Sequence, residues 1–365
     1  MTSYRLKLTT HTPLHIGSGG SALRRGIDFV GYDQTIYVFD TTRVLEYLLA
    51  DSTNTALLDQ ITRTVNLASF LQEQDFQEHP DLALYRLHGA ASVNEVLPHL
   101  KDVYDCPYIP GSSVKGALRT AIIDAALLAR NTPVDVRRLG DRAKFAAQEL
   151  ERDIVGRGEK HWQAPNYDLF RAVQIADSEP GERTWFTLSN VAVWPAGEQG
   201  IPLDVETIAS GSVFTLRMKI DDYLFGPQAR KVDFGPRRRL LDNLAATCRA
   251  QAQARIAGET TFFARRNEPR VRTFYEHLAA QLADCGPQSF FVHLGWGAGW
   301  GSKTIARTLQ ASEGAIEKTV QRYRLDRGKG RGGDFPATRH VVVNAQREPV
   351  EPLGWVRVDM EEDER

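Results

Sequence analysis

The chain has 365 residues, 42% hydrophobic and 25% charged, the balance of a globular protein that buries a sizeable core in one elaborated domain or two fused ones. The formal net charge is −1, which excludes binding of nucleic acid by overall basicity and leaves any such contact to local patches. Three cysteines, Cys106, Cys248 and Cys285, fit neither a disulfide framework nor a zinc ligand set, so reduced thiols and a cytoplasmic setting are expected.

In chain order, Tyr4 to Thr10 alternates polar and apolar as a half-buried strand does. The N-terminal run lacks the apolar stretch of a signal peptide. Next come a turn-rich segment, HTPLHIGSGG, and a hairpin pattern with strands near Gly26–Val30 and Ile36–Phe39 about the turn at 31–34. Arg43 to Ala50 is predicted to be helical. Residues 55–100 read as an insertion, and Tyr108–Gly111 as a short strand ending in a turn. Ser112 and Ser113 then stand as N-cap candidates for an Ala- and Leu-rich helix over 114–130. Residues 131–165 read as a charged, exposed insertion.

Further along, DLFRAVQIAD (168–177), Trp185–Trp194 and Gly211–Ile220 are predicted strands. Leu240–Gly258 reads as a helix closed by Gly258, and Arg272–Cys285 as another. Phe290–Leu294 is a strand, followed by the glycine loop LGWGAGWGSKT and a helix over Ile316–Tyr323. A basic glycine-rich loop, RLDRGKGRGGDFP, leads to a last strand at His340–Val343. The acidic tail MEEDER reads as solvated. No apolar run reaches the roughly 18 residues a membrane span needs.

The interleaving is not a regular βαβ series, and neither GxGxxG nor GxxxxGK[ST] is present. A doubly wound nucleotide-binding fold is therefore disfavoured. An α+β architecture with antiparallel sheets and helices on one face is expected.

Four segments could carry chemistry. In YIPGSSVKGALRT the free N–H groups of the helix start, with Ser112 and Ser113, form a phosphate-sized anion site. Lys115 and Arg119, four apart, share a helix face, and Gly116 leaves room for another backbone. The bland alternative is a capped helix with two solvated cations. In GWGAGWGSKT, Gly295, Gly297, Gly299 and Gly301 allow close backbone approach and lead to Lys303. Trp296 and Trp300 could stack on unpaired bases, but a place in the core fits them better.

In TPLHIGSGG, His15 sits in an apolar run and reads as structural rather than as an acid–base group. Arg24 and Arg25 could hold a phosphate there. The fourth segment, RGKGRGGD (327–334), could track an RNA backbone. Its single carboxylate is too few for two-metal chemistry, so no metal and no cofactor are expected. No GxSxG, HExxH or Cys/His signature appears.

Taken together, TPLHIGSGG, YIPGSSVKGALRT, DLFRAVQIADSEP and LGWGAGWGSKT resemble the RAMP superfamily, the repeat-associated RNA-binding subunits of CRISPR effectors. The glycine-loop form and the ending FPATRH…PLGWVRV are most similar to the fifth-subunit family of type III-A Csm complexes. The resemblance covers residues 4–357, apart from the two insertions.

The resemblance implies RRM-like (ferredoxin-like) units, taken here as residues 1–165 with the helical insertions and 166–365 with the glycine loop. It implies a non-catalytic ribonucleoprotein subunit that caps the 3′ end of the guide RNA and supports guide maturation and antiviral defence. Its partners would be guide and target RNA, the adjacent backbone RAMP subunit, the small helical subunit and host nucleases, with no membrane. By the same resemblance Lys115 and Arg119 match the family's basic helix residues facing RNA, Gly295–Lys303 match its glycine loop, and these positions would bind RNA. Asp28, in RRGIDFV, falls near the aspartate with which the backbone RAMP subunit cuts target RNA, but Phe29 and Val30 depart from that pattern. A metal-dependent endoribonuclease using Asp28 or a processing enzyme using His15, and a structural type III-B subunit, are the alternatives.

Overall fold

A computed structural model describes residues 1–50, 66–90, 92–156, 164–195, 202–232, 234–326 and 335–363. In chain order the strands are β1 (Thr2–Thr10), β2 (Leu23–Arg24), β3 (Phe29–Tyr32), β4 (Thr35–Phe39), β5 (Ala83–His88), β6 (Glu95–Val96), β7 (Val173–Ile175), β8 (Phe186–Trp194), β9 (Leu203–Ile208), β10 (Val213–Ile220), β11 (Ser289–His293), β12 (Arg339–Val343), β13 (Pro349–Pro352) and β14 (Trp355–Glu362). The helices are α1 (Thr41–Leu49), α2 (Glu73–Glu78), α3 (Gly111–Ala129), α4 (Gln148–Val155), α5 (Arg239–Asp242), α6 (Leu244–Arg265), α7 (Pro269–Asp284), α8 (Gly299–Lys303), α9 (Ala306–Gln310) and α10 (Ala315–Tyr323).

The alternation read in the sequence sets the sheets. Along β1, Leu6 and Leu8 are buried while Arg5 and Lys7 face solvent. Along β10, Phe214, Leu216, Met218 and Ile220 turn inward in the same period. Each fully buried side chain of this size contributes roughly 1.5–3 kcal/mol. The first sheet runs β11–β14–β1–β10–β7, antiparallel at every step. Leu6 stands opposite Leu216 on one side and Met360 on the other. The second sheet runs β13–β12–β8–β5–β4–β3, with β9 also on β8. β5 and β8 run parallel where His88 meets Thr187. Both sheets draw strands from either side of residue 165. The expected α+β class with antiparallel sheets is what the chain adopts.

Helix α3 packs Val114, Leu118, Ala121 and Ile122 into the main core, at the spacing of one helix face. It lies against α6 and α9. Asp124, fully buried, accepts the N–H and the hydroxyl of Thr308 and so ties α3 to α9.

Several expectations are corrected. Tyr108–Gly111 forms no strand, and Pro110 is the N-cap residue of α3, with Ser112 and Ser113 inside its first turn. Asp168 opens a 3-10 turn at Leu169–Ala172 by accepting the Phe170 N–H, so only Val173–Ile175 of that segment is strand. Gly258 does not close a helix; α6 runs through it to Arg265 because the residues on either side remain good helix formers. The segment after residue 131 is amphipathic rather than merely exposed: Leu139, Leu150, Ile154 and Val155 enter the core. Met360 to Glu362 of the acidic tail belong to β14, since Val356, Val358 and Met360 alternate inward and carry Glu361 and Glu362 with them.

Candidate nucleic-acid interface

The first turn of α3 is docked, not open. The Gly111 N–H donates to Asp177 Oδ1 at 2.8 Å, and the Ile109 N–H donates to Ser178 Oγ at 2.9 Å. A Cβ on Gly111 would overlap the carbonyl oxygens of Ile175 and Ala176, so glycine is required for this close approach. The central motif and the IADSEP segment therefore form one seam. The anion site expected at this helix start is already occupied by the Asp177 carboxylate. Ser112 is exposed and Ser113 half-buried beside it.

One turn further, Lys115 and Arg119 do share a face, but their surroundings differ. Arg119 pairs with Asp168 at 2.8 Å and Glu151 at 3.1 Å, and its guanidinium lies 5.4 Å from the Phe170 ring. It is held in place by this chain's own carboxylates. Burial lowers the Lys115 pKa, with Asp168 acting against that shift. Among the described residues, nothing lies within 4 Å of where a Gly116 Cβ would stand, so none of their backbone approaches it.

The glycine segment is a 3-10 turn at Trp296–Ala298 followed by the short helix α8, rather than an open loop. Gly295 has φ +73°, and a Cβ there would overlap the carbonyl of His15; the Trp296 N–H donates to that same carbonyl at 2.9 Å. Gly297 meets Leu353, and Gly301 meets the guanidinium of Arg255. Gly299, at φ +67°, faces open space. Three of the four glycines thus have a packing reason. Trp296 is half-buried 4.0 Å from the His340 ring, and Trp300 packs edge-on to Phe335 at 5.0 Å. Lys303, at the end of α8, is exposed at one edge, and desolvation by the adjoining protein lowers its pKa.

These two motifs converge. A cleft of about 390 Å³ lies between α3, the 139–151 segment, α8, α9 and α10, and its lining includes Arg119, Trp300 and Lys303. Arg24 and Arg25 do not line it. They belong to a tight turn in which the Arg24 N–H donates to Asp28 Oδ2 at 2.7 Å and the Asp28 N–H returns to Arg24 O. Asp28 is thereby a turn-closing residue. His15 is buried with its Nδ1 on the Glu206 carbonyl at 2.8 Å, and burial lowers its pKa. The apolar run of which it is part is buried with it. The basic loop 327–334 lies outside the described residues.

Sequence reading missed two buried charge clusters. Glu206, wholly buried, accepts from the His99 N–H and from Lys101 Nζ, and desolvation raises its pKa. Glu259, 1% exposed, is clasped by Arg255 at 2.7 Å and Arg339 at 2.7 Å. Only the spacing of Arg255 and Glu259 on α6 is visible locally; Arg339 comes from β12.

A sequence profile of the RAMP superfamily matches residues 7–302. Two Mycobacterium tuberculosis proteins, from strains CDC 1551 and H37Rv and each named "CRISPR system Cms protein Csm5", are 32% identical over 255 residues, 64% of this chain and 60% of theirs. The chain thus matches less than two thirds of the length of these curated relatives. A chain of the cryo-EM structure of a Csm–crRNA–target RNA ternary complex from a type III-A CRISPR–Cas system superposes with TM-score 0.68 at 25% identity, covering 98% of this chain and 100% of that one. The crystal structure of T. onnurineus Csm5 superposes with TM-score 0.65 at 22% identity, over 96% and 99% of the two chains, and speaks to the fold alone.

Proposed function

Because the chain belongs to the RAMP superfamily, we propose that it is an RNA-binding subunit of a type III-A Csm ribonucleoprotein, one that caps the 3′ end of the guide RNA without turnover of its own. The observation that carries this reading is the convergence of α3 and the glycine segment on one cleft edged by Arg119 and Lys303. The near-neutral charge suits an assembly member, whose neighbours share the work of holding RNA. On this reading Lys115 and Lys303 meet the RNA backbone, while Arg119, fixed by Asp168 and Glu151, positions that face. Guide and target RNA, the adjacent backbone RAMP subunit and the small helical subunit are its partners, and the cap supports guide maturation by protecting the 3′ end or receiving host nucleases. Asp28, tied into its own turn, takes no part in cleavage.

The test is the length distribution of guide RNA in complexes assembled with and without the chain. Loss of the mature species, or long and ragged guides, is the expected result. Unchanged lengths together with a fall in target cleavage would overturn the capping role and bring Asp28 forward.

A further inference from the structure

The cleft that joins the two motifs is built for more than a backbone phosphate. Its walls are apolar, from residues such as Ile123, Leu139 and Leu309. Aromatic rings stand among its lining residues: Trp300, Tyr323 and Phe145, the last 44% exposed. Lys144 and Lys303, both exposed, supply positive charge to the same lining.

One polar group in that lining is out of place. Thr319 on α10 is 5% exposed, and its hydroxyl has no hydrogen-bond partner among the described residues. Other helical threonines of this chain, Thr120, Thr260 and Thr261, bond the carbonyl four residues back. Leaving a buried hydroxyl unpaired costs about 1–3 kcal/mol, a cost that a bound polar group removes.

No simpler occupant satisfies all of these features. A bare phosphate would meet the lysines and leave the apolar walls and rings unused. A purely apolar ligand would fill the walls and leave the hydroxyl unpaired. An unpaired nucleotide uses each: its base enters between apolar walls and stacks on an aromatic face, its edge reaches a hydroxyl, and its phosphate stays with Lys303. The volume of about 390 Å³ falls within the roughly 300–1,000 Å³ of small-molecule sites.

We propose that this cleft receives one unpaired nucleobase of the bound RNA, splayed out of the strand, with Trp300 or Phe145 as its stacking platform and Thr319 as its hydrogen-bonding partner. This rests on the RNA-binding reading above.

The test uses the full chain and a single-stranded RNA carrying 4-thiouridine, irradiated and mapped by mass spectrometry, beside filter binding of the same RNA. Crosslinks are expected in the peptides spanning 139–151 or 300–325. Ala143, exposed on the cleft lining, permits a plug that leaves the core untouched. Ala143→Trp should cut the crosslink yield by about tenfold and weaken filter binding by up to about the same factor, the worth of one base stack. Thr319→Val, which keeps the shape, should lower the yield by about threefold or more through loss of the hydroxyl alone. Undiminished crosslinks in both variants, or crosslinks mapping elsewhere while filter binding persists, would sink the base pocket and leave the RNA-binding reading standing. Failure of the unaltered chain to retain RNA by either measure would remove both.

Discussion

At the scale of single residues, buried charge sets the stability of this molecule. Glu259 lies between two guanidiniums at 1% exposure, and the Arg339 guanidinium also lies 3.8 Å from the Phe262 ring. Removing the carboxylate strands two positive charges that are themselves mostly buried. Glu259→Gln should therefore cost about 3–5 kcal/mol, read as a fall in the urea midpoint. His293 works through protonation. It stacks on Trp355 at 4.6 Å and bonds the Leu353 carbonyl through Nε2, and burial pulls its pKa down to about 3. The folded state therefore refuses a proton that the unfolded chain accepts near pH 6.5. Its stability contribution is whole above that pH and drains as pH falls toward 3, by up to about 1.4 kcal/mol per pH unit. The stability gap between the unaltered chain and His293→Gln should narrow across that window in urea titrations from pH 7 to pH 4; a gap independent of pH would show that His293 titrates normally.

At the scale of elements, the glycines separate into those that a neighbour requires and those that it does not. Gly295 combines φ +73° with direct approach to the His15 carbonyl. Gly295→Ala should cost at least about 1–3 kcal/mol in backbone strain, with the overlap added to it, and release the N-terminal segment from the glycine turn. Gly258, inside α6 with nothing among the described residues within 4 Å of where a Cβ would stand, should behave oppositely: Gly258→Ala should raise stability by about 0.5–1 kcal/mol. Thermal unfolding of the two variants side by side checks both signs. What was legible in the sequence follows the same division. The alternation of β1, the strand run of β10 and the Ala- and Leu-rich run of α3 are local patterns, and they read correctly. Asp168 was misread because a strand pattern and a capped 3-10 turn share the residues DLFRA until the carboxylate is seen accepting the Phe170 N–H. The carboxylate partners of Arg119 and the seat of Asp177 at Gly111 were invisible because each pairs residues far apart in the chain. The motifs gave the parts of the candidate interface, and only the fold brought them to one cleft.

At the scale of the whole molecule, charge decides how RNA can be held. With a formal net charge of −1, no long-range attraction gathers RNA onto the surface. If Lys115 and Lys303 are the two phosphate contacts, the logarithm of affinity should fall with the logarithm of salt concentration at a slope of about −1.4 for single strands. Replacing both with Ala should bring that slope near zero. A much steeper slope that persists in the double variant would move the contact to another surface of the chain.

The first sheet has a further consequence for how the protein comes into being. β1 lies between β10 and β14, with Tyr4 opposite both Met218 and Glu362. On the ribosome β1 is made before both of its neighbours, and one of its flanks stays bare until β14 is translated. During that interval the nascent chain offers an unpaired strand edge carrying Leu6 and Leu8, the kind of surface that invites mispairing. Newly made molecules of this fold must therefore be shielded by a chaperone or close the sheet quickly once β14 emerges.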